Sequence, residues 1–192
     1  IGSPMPKWTF GWNNTFTYKN FDLTVFINGS LGNKVGNYTK MKLSHMNSAW
    51  QNQLADCGGH AILTPKDGVK ADNWIYDVTN VVVANPDAAY PRASINDPSD
   101  NDAWSDRFIE DGSYVRLKSI TLGYTFDKKL IKKLGLTNLR MTLNATNLLT
   151  ITGYDGYDPE IGVSTTSSNV YGLDNGRYPS PTSFSFGLNV AF

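Results

Sequence analysis

Between Trp8 and Tyr18 the chain reads WTFGWNNTFTY, with Trp8, Phe10, Trp12, Phe16 and Tyr18 at alternate positions and Thr9, Gly11, Asn13, Thr15 and Thr17 between them. Asn14 alone interrupts the aromatic series. A period of two places each set on one side of an extended strand, whereas a helix would scatter the rings around its circumference. Ten steps of about 3.3 Å, tilted by about 40°, rise roughly 25 Å, the height of the apolar band of a membrane β-barrel. Trp8 and Tyr18 then fall where the two aromatic girdles of such a barrel lie.

The same alternation returns four times. After a turn at 19–20, Phe21, Leu23, Val25, Ile27 and Leu31 share one parity, which predicts an antiparallel hairpin with the first strand. Strand periodicity then lapses over 32–112, apart from a short helix expected within Asn37–Trp50. It resumes at 113–126, where Ile120, Leu122, Tyr124 and Phe126 share one parity and Val115 and Leu117 the other. A bulge near Lys118–Ser119 reconciles the two halves. The segment 127–137 predicts one helical turn ending at Gly135. A strand over 138–151 places Leu139, Met141, Leu143 and Ala145 opposite Arg140, Thr142, Asn144 and Thr146. After an irregular segment at 152–181, a strand over 182–192 places Phe184, Phe186, Leu188, Val190 and Phe192 on one side. Connections therefore run short, long, short, long, which predicts periplasmic turns at 19–20 and 127–137 and outer loops at 32–112 and 152–181.

Composition is consistent with this architecture. Mean hydropathy of −0.33 and the lack of a long apolar run exclude a membrane-spanning helix, a test that alternating strands evade. Lys and Arg total 17 against 17 Asp and Glu, and their scatter argues against a nucleic-acid partner. The lone Cys57 allows no internal disulfide. Five strands fall short of the eight or so that the smallest membrane barrels need, so other strands are expected from a longer precursor.

Four stretches carry a family resemblance: IGSPMPKWTFGWNNTFTYKNFDLTVFINGSLGNKV, SDRFIEDGSYVRLKSITLGYTF, LGLTNLRMTLNATNLLTITGYDGYDPE and DNGRYPSPTSFSFGLNVAF. In this order they resemble the C-terminal end of SusC/RagA-type TonB-dependent outer-membrane transporters; only about 47–100 lacks a matching motif. The resemblance implies an all-β fold: the last five or so strands of an antiparallel transmembrane barrel of about 22 strands. It also implies import of oligosaccharides, peptides or other large nutrients across the bacterial outer membrane, with a SusD-like surface lipoprotein as partner. Energy would come from the TonB complex through an N-terminal region absent from this sequence. Phe192 resembles the aromatic signal read by the barrel-assembly machinery.

On this reading Trp8, Phe10, Trp12, Phe16, Tyr18, Leu143, Phe184 and Phe186 face outer-membrane lipid. Arg140, Thr142, Asn144 and Thr146, with Arg116 and Lys118, face inward, because a cation at mid-bilayer depth on the lipid face costs about 2–4 kcal/mol. Trp50, Trp74, Tyr76, Trp104, Tyr154 and Tyr157 are substrate-binding candidates, flat rings being suited to sugar faces, although packing of the loops against one another or against a lipoprotein lid is the favoured reading for any single ring. Within GYDGYDPE, the residues Tyr154, Asp155, Tyr157, Asp158 and Glu160 are expected to fix the loop, with Pro159 setting its turn. Asp97, Asp100 and Asp102 are weak Ca²⁺ candidates, lacking the placed Gly and distal Glu of an EF-hand. Cys57 and His60 fall short of a zinc ligand set. No catalytic constellation and no cofactor motif is present in the sequence, so an enzyme is not expected. Two other readings fit alternating strands with exposed rings: a soluble carbohydrate-binding β-sandwich, and a passive porin.

Overall fold

The computed structural model describes residues 2–48, 50–69, 77–97, 99–161 and 170–192. Two compact units emerge, one comprising 1–37 with 109–192 and the other 38–108.

The first unit is built on a five-stranded antiparallel sheet of β1 (Trp8–Tyr18), β2 (Phe21–Leu31), β7 (Tyr114–Thr125), β8 (Asn138–Thr152) and β10 (Ser183–Ala191), in the order β1-β2-β7-β8-β10. Register carries the alternation of each strand into continuous rows across the sheet. Phe16 lies opposite Leu23, Leu23 opposite Leu122, Leu122 opposite Leu143, and Leu143 opposite Phe186. The next row toward the short turns runs Tyr18, Phe21, Tyr124, Met141, Leu188. Trp8, Trp12, Phe16, Tyr18, Leu143, Phe184 and Phe186 are all more than half exposed, and Phe10 is 41% exposed. A β-sandwich would bury this face beneath a second sheet; among the described residues no such layer covers it.

The opposite face is polar, with the row Thr15, Thr24, Thr121, Asn144, Ser185. Thr15 and Thr24 are hydrogen-bonded at 3.3 Å, the Thr121 hydroxyl donates to Asn144 at 2.9 Å, and Arg140 forks onto Asp22 with bonds of 2.6 and 2.8 Å. Lys118 is the extra residue where the β2–β7 and β7–β8 registers shift. Opposite it on β8, Asn147 adopts a left-handed φ of 52° and donates to the Pro181 carbonyl. The irregularity lets Val115 and Leu117 share the apolar face with Ile120 and Leu122.

Both short connections lie at one end of the sheet. One is Lys19–Asn20; the other contains α2 (Lys128–Ile131) and a 3₁₀ turn (Lys132–Leu134), closed by Gly135 at φ 72°. At the opposite end, β3 (Lys34–Asn37) pairs with β6 (Ile109–Asp111) and β9 (Leu173–Asp174) in a small three-stranded sheet. Neither 32–112 nor 152–181 shows a strand period in the sequence, because segments of two to four residues are too short to display one.

The second unit holds α1 (Tyr38–Leu43) and the antiparallel pair β4 (Leu63–Pro65) and β5 (Val81–Val83). Trp104 lies between Tyr38, stacked at 6.1 Å, and Phe108, edge-on at 6.4 Å.

Candidate functional site on the polar face

The polar face of the sheet, together with the loop leaving β8, forms the most organised polar site of the first unit. Its centre is Arg116 on β7. That side chain is 4% exposed and has one hydroxyl and two carboxylate partners: Nε donates to the Thr150 hydroxyl at 2.9 Å, Nη1 to Glu160 at 2.7 Å and Nη2 to Asp158 at 2.5 Å. Lys118 also reaches Glu160, at 2.8 Å. The bulge is what puts both cations within reach of this one loop.

Asp158 ties the loop to the rest of the unit. Its two oxygens also accept the backbone N–H groups of Glu160 at 3.0 Å and Ser180 at 2.9 Å. Burial by itself favours the neutral acid, but the Arg116 guanidinium and the two amides outweigh it and hold the carboxyl below its usual range. Four residues earlier, Tyr154 is buried and its hydroxyl donates to Asp174 at 2.6 Å. Burial, and then that carboxylate, push the phenol well above its ordinary range. Asp174 accepts in turn from the backbone of Gly176 and Arg177, so one motif anchors both sides of the segment 153–182. Glu110 completes the frame by accepting from the backbone of Asp155 at 3.0 Å and the amide of Asn37 at 3.3 Å.

This frame borders a cavity of about 590 Å³, lined by β1 and β2 (Thr9, Asn28, Ser30), by Tyr114 and Lys118, and by the loop residues Glu160, Tyr171 and Arg177. Asn28 Oδ1 is buried there without a hydrogen-bond partner among the described residues. Hydroxyls, amides, both signs of charge and two phenol rings, beside the apolar Phe10, Pro159 and Ile161, suit a ligand with many hydrogen-bonding groups and some apolar surface.

The ring candidates divide by position. Tyr154 is spent inside the frame and offers no face to a ligand. Tyr157 is 68% exposed, Trp104 46% and Trp50 95%. Trp74 and Tyr76 lie outside the described residues. Phe192 is 90% exposed. In the acidic loop, Asp97 accepts from the Asn101 amide at 2.7 Å and the Asp102 backbone at 3.2 Å, so it serves the turn itself. Among the described residues no group of three or more His, Cys, Asp or Glu side chains is arranged to hold a metal ion. The buried Cys57 thiol donates to the Leu43 carbonyl at 3.7 Å, and burial pushes its pKa up, away from a reactive thiolate. The cavity residues Asn28, Tyr114 and Arg177 were not among the sequence candidates. Their polar-face parity and motif neighbourhood were the available signals, but the contact that joins them is long-range.

No protein-family model matches the chain. Among curated proteins of Formosa agariphila, it is similar over its whole length to TonB-dependent receptor P3, at 35% identity over 196 residues, and to TonB-dependent receptor P26, at 31% over 198. The chain spans 17% and 18% of the length of these relatives. Among solved structures, all of it superposes on 18% of a chain of the RagAB peptide importer, in the open-open state at TM-score 0.65 and 21% identity. The closed-closed state matches at TM-score 0.65 and 20% identity.

Proposed function

Given that this chain belongs to the TonB-dependent receptors, which are outer-membrane proteins, and has the fold of a segment of RagAB, we propose that it forms a five-stranded sector of an importer's barrel wall. The single observation that carries this reading is the two-sided sheet: five registered strands with one continuous apolar face, uncovered among the described residues, and one hydrogen-bonded polar face. In water such a face is a liability, whereas in lipid it is the only acceptable outer surface. Trp8, Phe10, Trp12, Phe16, Tyr18, Leu143, Phe184 and Phe186 contact lipid in this reading, and the cavity beside Arg116 belongs to the lumen.

The cargo is a large polar nutrient, an oligosaccharide or a peptide. The polar lining of the cavity supports this class, as does the name of the RagAB peptide importer. Tyr157 is the exposed ring candidate of the unit that holds this cavity. A SusD-like lipoprotein would close the outer mouth, and the TonB complex would act through a part of the receptor outside this chain. The segment makes or breaks no bond in this scheme; it shapes a path.

Paired substitutions in the intact receptor test the assignment of faces. Leu143→Arg puts a cation on the apolar face in mid-strand and is expected to cost about 2–4 kcal/mol and to abolish assembly into a heat-modifiable barrel. Thr142→Arg, one residue away beside Gly187, puts the same charge on the polar face and is expected to assemble nearly as wild type. Equal damage from the two would reject the reading.

A further inference from the structure

The short-turn end of the sheet carries charge for which barrel closure and import have no use. In the turn between β7 and β8, Ile131 is 2% exposed and anchors the segment, while Lys128, Lys129, Lys132 and Lys133 are all exposed. None of the four is paired with a carboxylate among the described residues. Leu130 and Leu134 of the same connection are 60% and 71% exposed. Beside them the apolar face ends in rings: Phe126 meets Tyr124 edge-on at 4.8 Å, and Tyr124 meets Phe21 at 4.5 Å. In the other short turn the Lys19 ammonium lies 5.3 Å from the centre of the Tyr18 ring. The edge of the apolar face is thus bordered by rings and leucines, and then by five ammonium groups on flexible stems.

We propose that the Lys128–Lys133 turn binds headgroups of anionic phospholipids in the leaflet next to this end, with Leu130 and Leu134 resting at the acyl-chain border. The inference rests on the barrel-wall reading above. Lysine suits the position because its stem lies along apolar surface while its head reaches the phosphate plane. Charge complementarity commits the surface to lipid. The four cations are exposed and flank two exposed leucines in the sequence, so polar charge and apolar surface are presented together, as at the border of a lipid leaflet.

The test uses the intact receptor in nanodiscs of phosphatidylcholine doped with phosphatidylglycerol, with retained lipids counted by native mass spectrometry. Wild type is expected to retain phosphatidylglycerol selectively. The quadruple change Lys128→Gln, Lys129→Gln, Lys132→Gln and Lys133→Gln is expected to lower that retention about tenfold or more. The matching Lys→Arg set is expected to keep it. Undiminished retention in the Gln set, or stripping of the lipid by millimolar inorganic phosphate, overturns the proposal. Heat-modifiability is read in parallel on every sample. A Gln set that still shifts on boiling is a folded barrel that has lost only its lipid. If it does not shift, Lys128→Gln with Lys132→Gln replaces it under the same criteria. A wild type that does not shift refutes the barrel reading itself, and the lipid site with it.

Discussion

A guanidinium with 4% of its surface left to water has to find its whole hydration shell in the protein, and Arg116 finds it in Thr150, Asp158 and Glu160. The two carboxylates are not equivalent. Asp158 is 7% exposed and doubly bound by backbone amides, whereas Glu160 is 36% exposed and shared with Lys118. Asp158→Asn leaves a buried cation short of a counter-charge and is expected to destabilise the receptor by about 3 kcal/mol, whereas Glu160→Gln should cost about 1 kcal/mol or less. Thermal inactivation of ligand-free receptor checks the ranking. The pH dependence has a definite sign. The folded carboxyl of Asp158 ionises more readily than the unfolded one, so its contribution is complete above the ordinary carboxylate range and is lost as pH falls through the lowered value. The inactivation temperature of wild type should therefore drop more steeply in acid than that of Asp158→Asn. The sequence showed Arg116 and Lys118 at inward parity and GYDGYDPE as a loop-fixing motif. It gave no sign that one answers the other, because partners 42 residues apart leave no local pattern.

Strands of nine to fifteen residues declare themselves because each displays its period several times over, and the parity break between Leu117 and Ile120 located the bulge to within a residue. The two- to four-residue strands β3, β6 and β9 show no period. They exist because hydrogen bonds such as Asn37 to Glu110 and Tyr154 to Asp174 frame them. Within β2, Gly29 fixes the element in a way composition alone does not reveal. The Phe10 ring lies across it from β1, and a Cβ there would also meet the Tyr114 carbonyl on β7. The ring can swing away but the carbonyl is held by the ladder. Gly29→Ala should therefore destabilise the sheet by about 1–3 kcal/mol, although alanine has ample room at an ordinary exposed strand position. Its measure is the temperature at which the boiled and unboiled gel forms of the receptor converge; an unchanged temperature would mean that β1, β2 and β7 are less closely packed than described.

At the level of the whole sheet, β1 and β10 each have one strand neighbour among the described residues, so each presents there an outer row of backbone N–H and C=O groups without a strand partner. In water those edges are aggregation templates, and in lipid each unpaired group costs several kcal/mol. Neither solvent tolerates this sheet alone, and the remedy that satisfies both edges at once is closure through further strands. Five strands cannot supply it, because curvature and tilt require at least about eight. The 192-residue segment expressed by itself is accordingly expected to aggregate and, when refolded into detergent, to run at one position whether or not it is boiled. The intact receptor from extracted outer membranes should shift on boiling. A segment that stayed monomeric in plain buffer would show that its apolar face is covered in some other way, and a water-soluble binding module would then replace the barrel wall. A segment that formed its own heat-modifiable species would show that the open edges close on each other or on further copies, making the rest of the receptor unnecessary for the wall.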